Sequence, residues 1–275
     1  WGLIWMGLGF MLLNMLFWSV TLLSVHDARF AAITIGASAE ARADFAAILA
    51  ELGASGGDGV RQDIALHLGS YAEIVESRLA DVLGGLVGQL FAYGPETVGL
   101  MAWGMALLKS GALTGAWEQA RYLKVAAIAY ALGLPISLML VWAATTSGFD
   151  PLVMADIFYA GSLPPRMAMM LGHTMLLLWL IGRMKGILLD RVAAAGRAAF
   201  SNYIATSIVM TTIFYGYGLG LYGGLPRAAV YLVVPLMWLI MLPWSKPWLD
   251  RFQYGPLEWL WRSLARGQRQ PFSKG

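Results

Sequence analysis

The 275-residue chain contains no cysteine. Disulfides, thiol catalysis and thiolate metal sites are therefore excluded. Histidine is scarce: His26, His67 and His173 lie far apart, and none forms a metal-ligand spacing. Charge is scarce too, with 13% Asp, Glu, Lys and Arg. No Ser nucleophile elbow on a strand-to-helix turn, phosphate-cradling glycine loop or His-Glu metal pattern is expected. No internal repeat marks the inverted halves common in transporters. The net charge of +3 is small, and basic residues stand beside apolar segments rather than in one patch, so no nucleic-acid partner is expected.

What the chain has is apolar surface. Hydrophobic residues make up 59% of it, with 12 tryptophans and 15 methionines. That balance indicates an all-α polytopic membrane protein. A spanning helix needs roughly 20 apolar residues. Six runs qualify: about Leu3–Val25, Leu83–Leu108, Val125–Thr146, Met167–Met184, Ala198–Tyr222 and Ala229–Trp244. Trp1 opens directly into the first run, which reads as the interior of a longer protein rather than as a secretory signal. Four regions are expected: a membrane helix over 1–25, an extracytoplasmic amphipathic segment over 26–82, a five-helix bundle over 83–249, and an interfacial helix with a tail over 250–275.

The segment 26–82 carries most of the acids, and "GASGGDG" (53–59) divides it into two amphipathic helices. Orientation follows from Lys and Arg in short loops. Lys109, Arg121 and Lys124 follow the second run, Arg183, Lys185, Arg191 and Arg197 the fourth, and Lys246 to Lys274 the sixth. All three regions fall on one side by alternation. The expectation is a multi-pass bacterial inner-membrane protein with a cytoplasmic C-terminus and the acidic segment outside. Gly84, Gly85 and Gly88 read as a small-residue packing face.

Within the apolar runs Glu96 is the sharpest site. Counting back from Lys109, a continuous helix raises it roughly 20 Å, past the bilayer midplane. An ionisable group at that depth costs several kcal/mol unless paired or wet. Pro95 removes a helix hydrogen bond, so Glu96 is expected to open a new half-helix. It reads either as a proton-handling acid in a cavity or as an interfacial acid where the helix begins. His173, inside the fourth run, is a candidate general base, or else a histidine bonded to a neighbour. Arg166 reads as an anion or headgroup ligand, or as an interfacial anchor. Asp150 and Asp156 read as solvated loop acids. Tyr203, Ser207, Thr211 and Tyr215 recur every fourth residue and form a polar stripe, suited to packing or to lining a cavity. Asn202, near Arg197, is a candidate polar ligand.

Several segments together resemble a known family. "AGRAAFSNYIATS" (195–207), "FYGYGLGLYG" (214–223), "WLDRFQYGPLEWLWRSL" (248–264) and "QRQPF" (268–272), with "GSYAEIVESRLAD" (69–81) and "GMALLKSGALTG" (104–115), are similar to the YeiB-like bacterial inner-membrane proteins, the family of domain of unknown function 418. One departure is Thr206, where the family often has Gln. The resemblance implies a distant relation to transmembrane acyltransferases, which pass an acyl group to an acceptor outside. It also implies about four preceding helices that hold the Arg- and His-containing motif.

Two functional classes follow, with a third beside them. In an acyltransferase-like enzyme a cytoplasmic donor, acyl-CoA or another acyl carrier, would meet Arg121, Lys124 and Arg197, with Asn202, Tyr203 and Arg166 as further substrate contacts. His173 or Glu96 would act as base. In a small-solute transporter, Glu96 and the polar stripe would line the path. The third reading is a scaffold that binds a partner protein or a second copy. Membrane lipids are partners in every case.

The run "GPLEWLWRSL" adds a local expectation. Gly255 and Pro256 open a helix. Leu257, Leu260, Trp261 and Leu264 fall on one apolar face, and Glu258 precedes Arg262 by four. With Trp259 as a second belt tryptophan, this reads as a cytoplasmic interfacial helix. Glu258 or Arg262 is expected to bond the 197–202 loop.

Overall fold

The computed structural model describes residues 1–52 and 58–274. Of the expected break at 53–59, residues 53–57 lie outside the described residues, and Asp58 and Gly59 open α3. Helices run in the order α1 (Gly2–Ile33), α2 (Ala39–Glu51), α3 (Asp58–Leu68), α4 (Tyr71–Lys109), α5 (Gln119–Thr146), α6 (Pro151–Ala155), a π-helix (Asp156–Gly161), α7 (Leu163–Ile181), α8 (Ile187–Arg197), α9 (Ala199–Phe214), α10 (Arg227–Arg251) and α11 (Pro256–Arg266). The protein is all-α. Among the described residues, α1, α5 and α10 (from Ala228) are long and apolar enough to cross a membrane. The chain forms two compact units, one of 1–61 and 78–183, the other of 62–77 and 184–275.

In the first unit α1 continues beyond the expected end at Val25 to Ile33. It crosses α4 at two glycines. A Cβ on Gly99 would stand 2.9 Å from the Gly7 carbonyl oxygen, and one on Gly7 would collide with the Trp103 ring. Small residues permit such backbone approach between membrane helices. Of the expected glycine face, Gly84 lies outside the described side chains, a Cβ on Gly88 would meet nothing within 4 Å, and one on Gly85 only Gln89. α5 and α7 pack closely around Tyr122, Ala126 and Met175. The Tyr122 hydroxyl donates to the Ala112 carbonyl at 2.6 Å, which satisfies a buried polar tip. Asp150 is not merely solvated. Its carboxylate accepts from the Leu152 and Val153 amides and caps α6, with Pro151 in the first turn.

The second run does not break at Pro95. α4 is continuous from Tyr71 to Lys109, so Glu96 lies inside a helix rather than at the start of one. A membrane helix tolerates proline where neighbours serve the disturbed carbonyls. Pro95 leaves the Phe91 carbonyl without its helix donor; at the next residue Asn14 Nδ2 (2.5 Å) and Trp18 Nε1 (3.2 Å), both from α1, donate to the Ala92 carbonyl in the same turn.

In the second unit α9 stops at Phe214, short of the expected Tyr222. The following tyrosines instead pack on α3. His67 stacks on Tyr222 (ring centroids 4.4 Å apart) and meets Tyr215 edge-on, while the Tyr222 hydroxyl donates to Asp63 at 2.7 Å. Against α8, α10 packs Leu249 beside Ala194 and Ala198. α10 runs through Pro235, Pro243 and Pro247.

Candidate functional site

The first unit pairs Glu96 with Arg166. Arg166 Nη2 donates to Glu96 Oε1 at 2.6 Å, across 70 residues of sequence. α4 and α7 supply the two partners, and the Glu96 side chain is 20% exposed. The pair faces a cavity of about 210 Å³ walled by Trp18, Tyr93, Thr97, Leu100, Phe158 and Tyr159. Trp18 stacks on Tyr159 with ring centroids 4.1 Å apart. Burial, with Tyr93 beside it, pushes the Tyr159 hydroxyl above its usual range. An arginine carries five N–H donors. One carboxylate oxygen leaves others to serve a ligand, and the aromatic walls suit an amphiphile or a flat group.

The π-helix shapes the far wall. It begins at Asp156, whose carboxylate oxygens both lie 3.0 Å from His26 Nε2. Asp156 is therefore a partner of α1, not a solvated loop acid. π-helical turns are frequent at functional sites, and this one presents Asp156 to His26 and Tyr159 to Trp18.

Two apolar spaces adjoin the same helices. One, of about 570 Å³, lies among α1, α4, α5 and α7; Met11, Trp103, Ile128 and Met167 are on its walls, and every lining side chain is apolar. The other, of about 530 Å³, shares Trp103 and Leu171 with it and adds Lys109, Ser110 and Arg121 at its rim. Arg121 lies over the Trp117 ring, its Cζ 3.7 Å from the centroid. Lys124 is exposed one turn further on α5. His173 is exposed on α7, with Nδ1 2.5 Å from the Met169 carbonyl oxygen and its ring edge-on to Tyr130. It lines neither the Glu96 cavity nor the apolar spaces beside it.

Arg197, Asn202 and Tyr203 belong to the second unit. Asn202 is buried and its amide is fully engaged. It donates to the Ala195 carbonyl (3.0 Å) and to Ser245 Oγ (3.2 Å), and it accepts from Trp244 Nε1 (3.0 Å). Its geometry is that of a tie among α8, α9 and α10. Thr206 donates to the Asn202 carbonyl at 2.7 Å. Within the polar stripe, Ser207 and Thr211 donate to carbonyls of their own helix. Tyr203, Thr206, Ser207 and Thr211 line an open groove of about 500 Å³. Arg197 is exposed at the end of α8.

The signature run is organised by Glu258. α9 has no side-chain cap of its own. Glu258 provides one from α11. Its Oε1 accepts from the Phe200 amide (2.7 Å) and the Ser201 amide (3.1 Å), and its Oε2 accepts from Ser201 Oγ (2.5 Å). Ser201 Oγ in turn accepts from the Leu257 amide at 3.0 Å. A carboxylate at a helix N-terminus satisfies orphan amides and opposes the macrodipole. Gly255 is required beside it, because a Cβ would collide with the Glu258 carboxylate. Pro256 starts α11. The tail then folds back. Trp259 Nε1 donates to the Gln270 carbonyl at 2.8 Å and its ring meets Phe272. The Arg262 Cζ lies 4.9 Å from the Tyr254 ring centroid, while Trp261 is exposed. The expected bond from Glu258 into the 197–202 segment is present.

Sequence reading missed Asn14, Trp18, His26 and Tyr159 as parts of the first site. Asn14 had a signal: it is a lone amide in a long apolar run. Among the described residues no group of three or more His, Asp and Glu side chains could hold a metal ion.

The fold defines an all-α protein with apolar helices of membrane-spanning length. The family described as "Protein of unknown function (DUF418)" matches residues 107–268, and the chain belongs to it. It is 31% identical over 219 residues to "Uncharacterized protein YeiB" of Escherichia coli (strain K12), covering 73% of this chain and 51% of that protein. It is 46% identical over 86 residues to "Uncharacterized protein YxaH" of Bacillus subtilis (strain 168), covering 31% of this chain and 21% of that protein. The chain thus spans about half, or less, of the curated relatives it matches. No solved structure matches it.

Proposed function

We propose that the first unit binds an acyl-bearing amphiphile and serves acyl transfer across the bacterial inner membrane, with the C-terminus in the cytoplasm. The observation that carries this reading is the succession of spaces along α1, α4 and α7. Lys109 and Arg121 stand at one end, an all-apolar groove follows, and the Glu96–Arg166 pair stands in a further cavity. The groove's volume falls in the range of ligand sites. The basic rim suits the phosphates of an acyl-CoA or a similar donor, with Lys124 near the entry. The groove admits the arm that joins those phosphates to the thioester, which brings the thioester carbonyl toward Arg166. Arg166 suits the carbonyl oxygen, whose charge grows as an acceptor hydroxyl attacks; Glu96 suits the proton that hydroxyl gives up and can return it to the donor sulfur as the thioester C–S bond breaks and the thiol leaves. The basic loops flanking the second, fourth and sixth apolar runs support the orientation.

The test is binding of palmitoyl-CoA to the purified protein in nanodiscs. Arg121→Glu and Ile128→Trp should each weaken binding about tenfold. Glu96→Gln should leave binding intact and abolish transfer to a supplied hydroxyl acceptor. Absence of saturable palmitoyl-CoA binding overturns the reading.

A second reading, a small-solute transporter, draws on the Glu96–Arg166 pair alone. It requires uptake into liposomes without any acyl donor, with loss of that uptake in Glu96→Gln.

A further inference from the structure

An amphipathic helix on a water-facing surface turns its apolar stripe inward. α11 does the reverse. Its contacts with the protein come from polar and mixed side chains. Glu258 caps α9, and Trp259 Nε1 donates to the Gln270 carbonyl. Ser263 Oγ accepts from the Gln270 amide (3.1 Å), and Arg266 Nη1 donates to Gln270 Oε1 (2.7 Å). On the other side Leu260, Trp261 and Leu264 are 46%, 65% and 69% exposed. These bonds fix the helix with its apolar side outward.

Two observations identify what covers that side. The apolar run of α10 gives way to Lys246, Asp250 and Arg251 in its last turns, and only four residues separate Arg251 from Pro256, so α11 starts at a membrane edge. Between 250 and 275 the chain carries five basic residues and two acids, and one of those acids, Glu258, is engaged with α9. Arg262 and Arg269 lie over Tyr254 and Trp259. A guanidinium stacked on a ring keeps its in-plane N–H groups for phosphate.

We infer that α11 is a docking surface for the anionic lipid face of the bilayer. Leu260, Trp261 and Leu264 enter the interface, Arg262, Arg266 and Arg269 meet headgroup phosphates, and Glu258 ties that contact to the first turn of α9. This surface is independent of the acyl-binding reading and stands or falls separately from it.

The absence of native cysteine gives a direct test on the full chain. Leu264→Cys and, as the comparison, Gln268→Cys are labelled with a fluorophore in nanodiscs whose lipids carry a shallow quencher. The Leu264 label should be quenched at least threefold more than the Gln268 label. Adding phosphatidylglycerol to phosphatidylcholine should raise that quenching about twofold, and Arg262→Gln with Arg266→Gln should remove the rise. Trp261→Cys repeats the measurement where Leu264→Cys folds poorly. Equal quenching at both positions overturns the proposal, as does indifference to phosphatidylglycerol. A Leu264 label shielded from both lipid-borne and aqueous quenchers also overturns it, since a second copy or a partner protein then covers the face.

Discussion

Glu96 and Glu258 are two glutamates, one in each unit, and each has a defined partner set. Glu258 accepts three hydrogen bonds from Phe200 and Ser201, with a glycine whose missing side chain makes room. Glu96 meets one arginine nitrogen and faces a cavity. The first arrangement holds two helices together. The second keeps charge available to something else. A carboxylate whose acceptor capacity is filled by backbone amides is a structural cap. One that shares a partly open site with an arginine and aromatic rings has the features of a ligand site.

The largest expected effect breaks the structural side of this comparison. Glu258→Ala leaves two amides and a hydroxyl unpaired at the start of α9 and should cost about 2–4 kcal/mol. Thermal unfolding of the purified protein should show Tm lowered by roughly 5–10 °C. Gly255→Ala should act in the same direction, because the new methyl group displaces the same carboxylate. Unchanged Tm in both variants would show that the cap contributes nothing to stability.

Asn202→Leu comes next. It removes three bonds among α8, α9 and α10 and strands the Trp244 indole and the Ala195 carbonyl. A loss of about 2 kcal/mol is expected from buried groups left unsatisfied. Palmitoyl-CoA affinity should stay within twofold, because Asn202 acts through packing. A large fall in affinity with unchanged Tm would make it a ligand residue after all.

Glu96→Gln should sharpen the contrast from the other side. Gln keeps an amide oxygen that can accept from Arg166 Nη2, so the loss of stability should be smaller than that of Glu258→Ala. The proposed acyl transfer should fall at least a hundredfold. A Tm loss matching that of Glu258→Ala, with function retained, would erase the distinction between the two glutamates.

These differences also explain what the sequence made legible. Glu96 stood out because an acid in an apolar run must be paired or wet. Its partner Arg166 lies 70 residues away, and no local pattern links them. The helix break at Pro95 was expected from a local rule, but the rule counts only the helix's own bonds. Asn14 and Trp18 supply donors from α1, so the outcome is decided by packing. His26 and Asp156 were read apart for the same reason. The C-terminal run was more legible because its message is local: Gly-Pro starts a helix, and spacing of four sets its faces. The target of Glu258 was foreseen within the 197–202 segment. The outward turn of the apolar face became visible only once the bonds to Gln270 were in place.

The smallest effect concerns a third glutamate, at the start of α4, and shows a cap that is exposed rather than walled in. Ser70 and Glu73 form a capping box. The Ser70 amide and hydroxyl both donate to Glu73 Oε2, at 2.7 and 2.9 Å, while the Glu73 amide donates to Ser70 Oγ at 3.3 Å. Bonding to the Ser70 amide, then to its hydroxyl, holds the Glu73 carboxyl below its usual value of 4.5. A group whose pKa is lowered by folding stabilises the fold above its unfolded value and loses that contribution as pH falls through the folded one. The first turn of α4 should therefore be intact near neutrality and loosen only as pH falls below the ordinary value of 4.5. Hydrogen exchange of residues 71–74, corrected for the intrinsic pH dependence, should rise modestly there in the native protein. In Glu73→Gln it should be raised at neutral pH and flat below. Exchange at residues 71–74 that stays flat in the native protein through the same range would show that the Ser70 bonds to Glu73 do not hold this helix start.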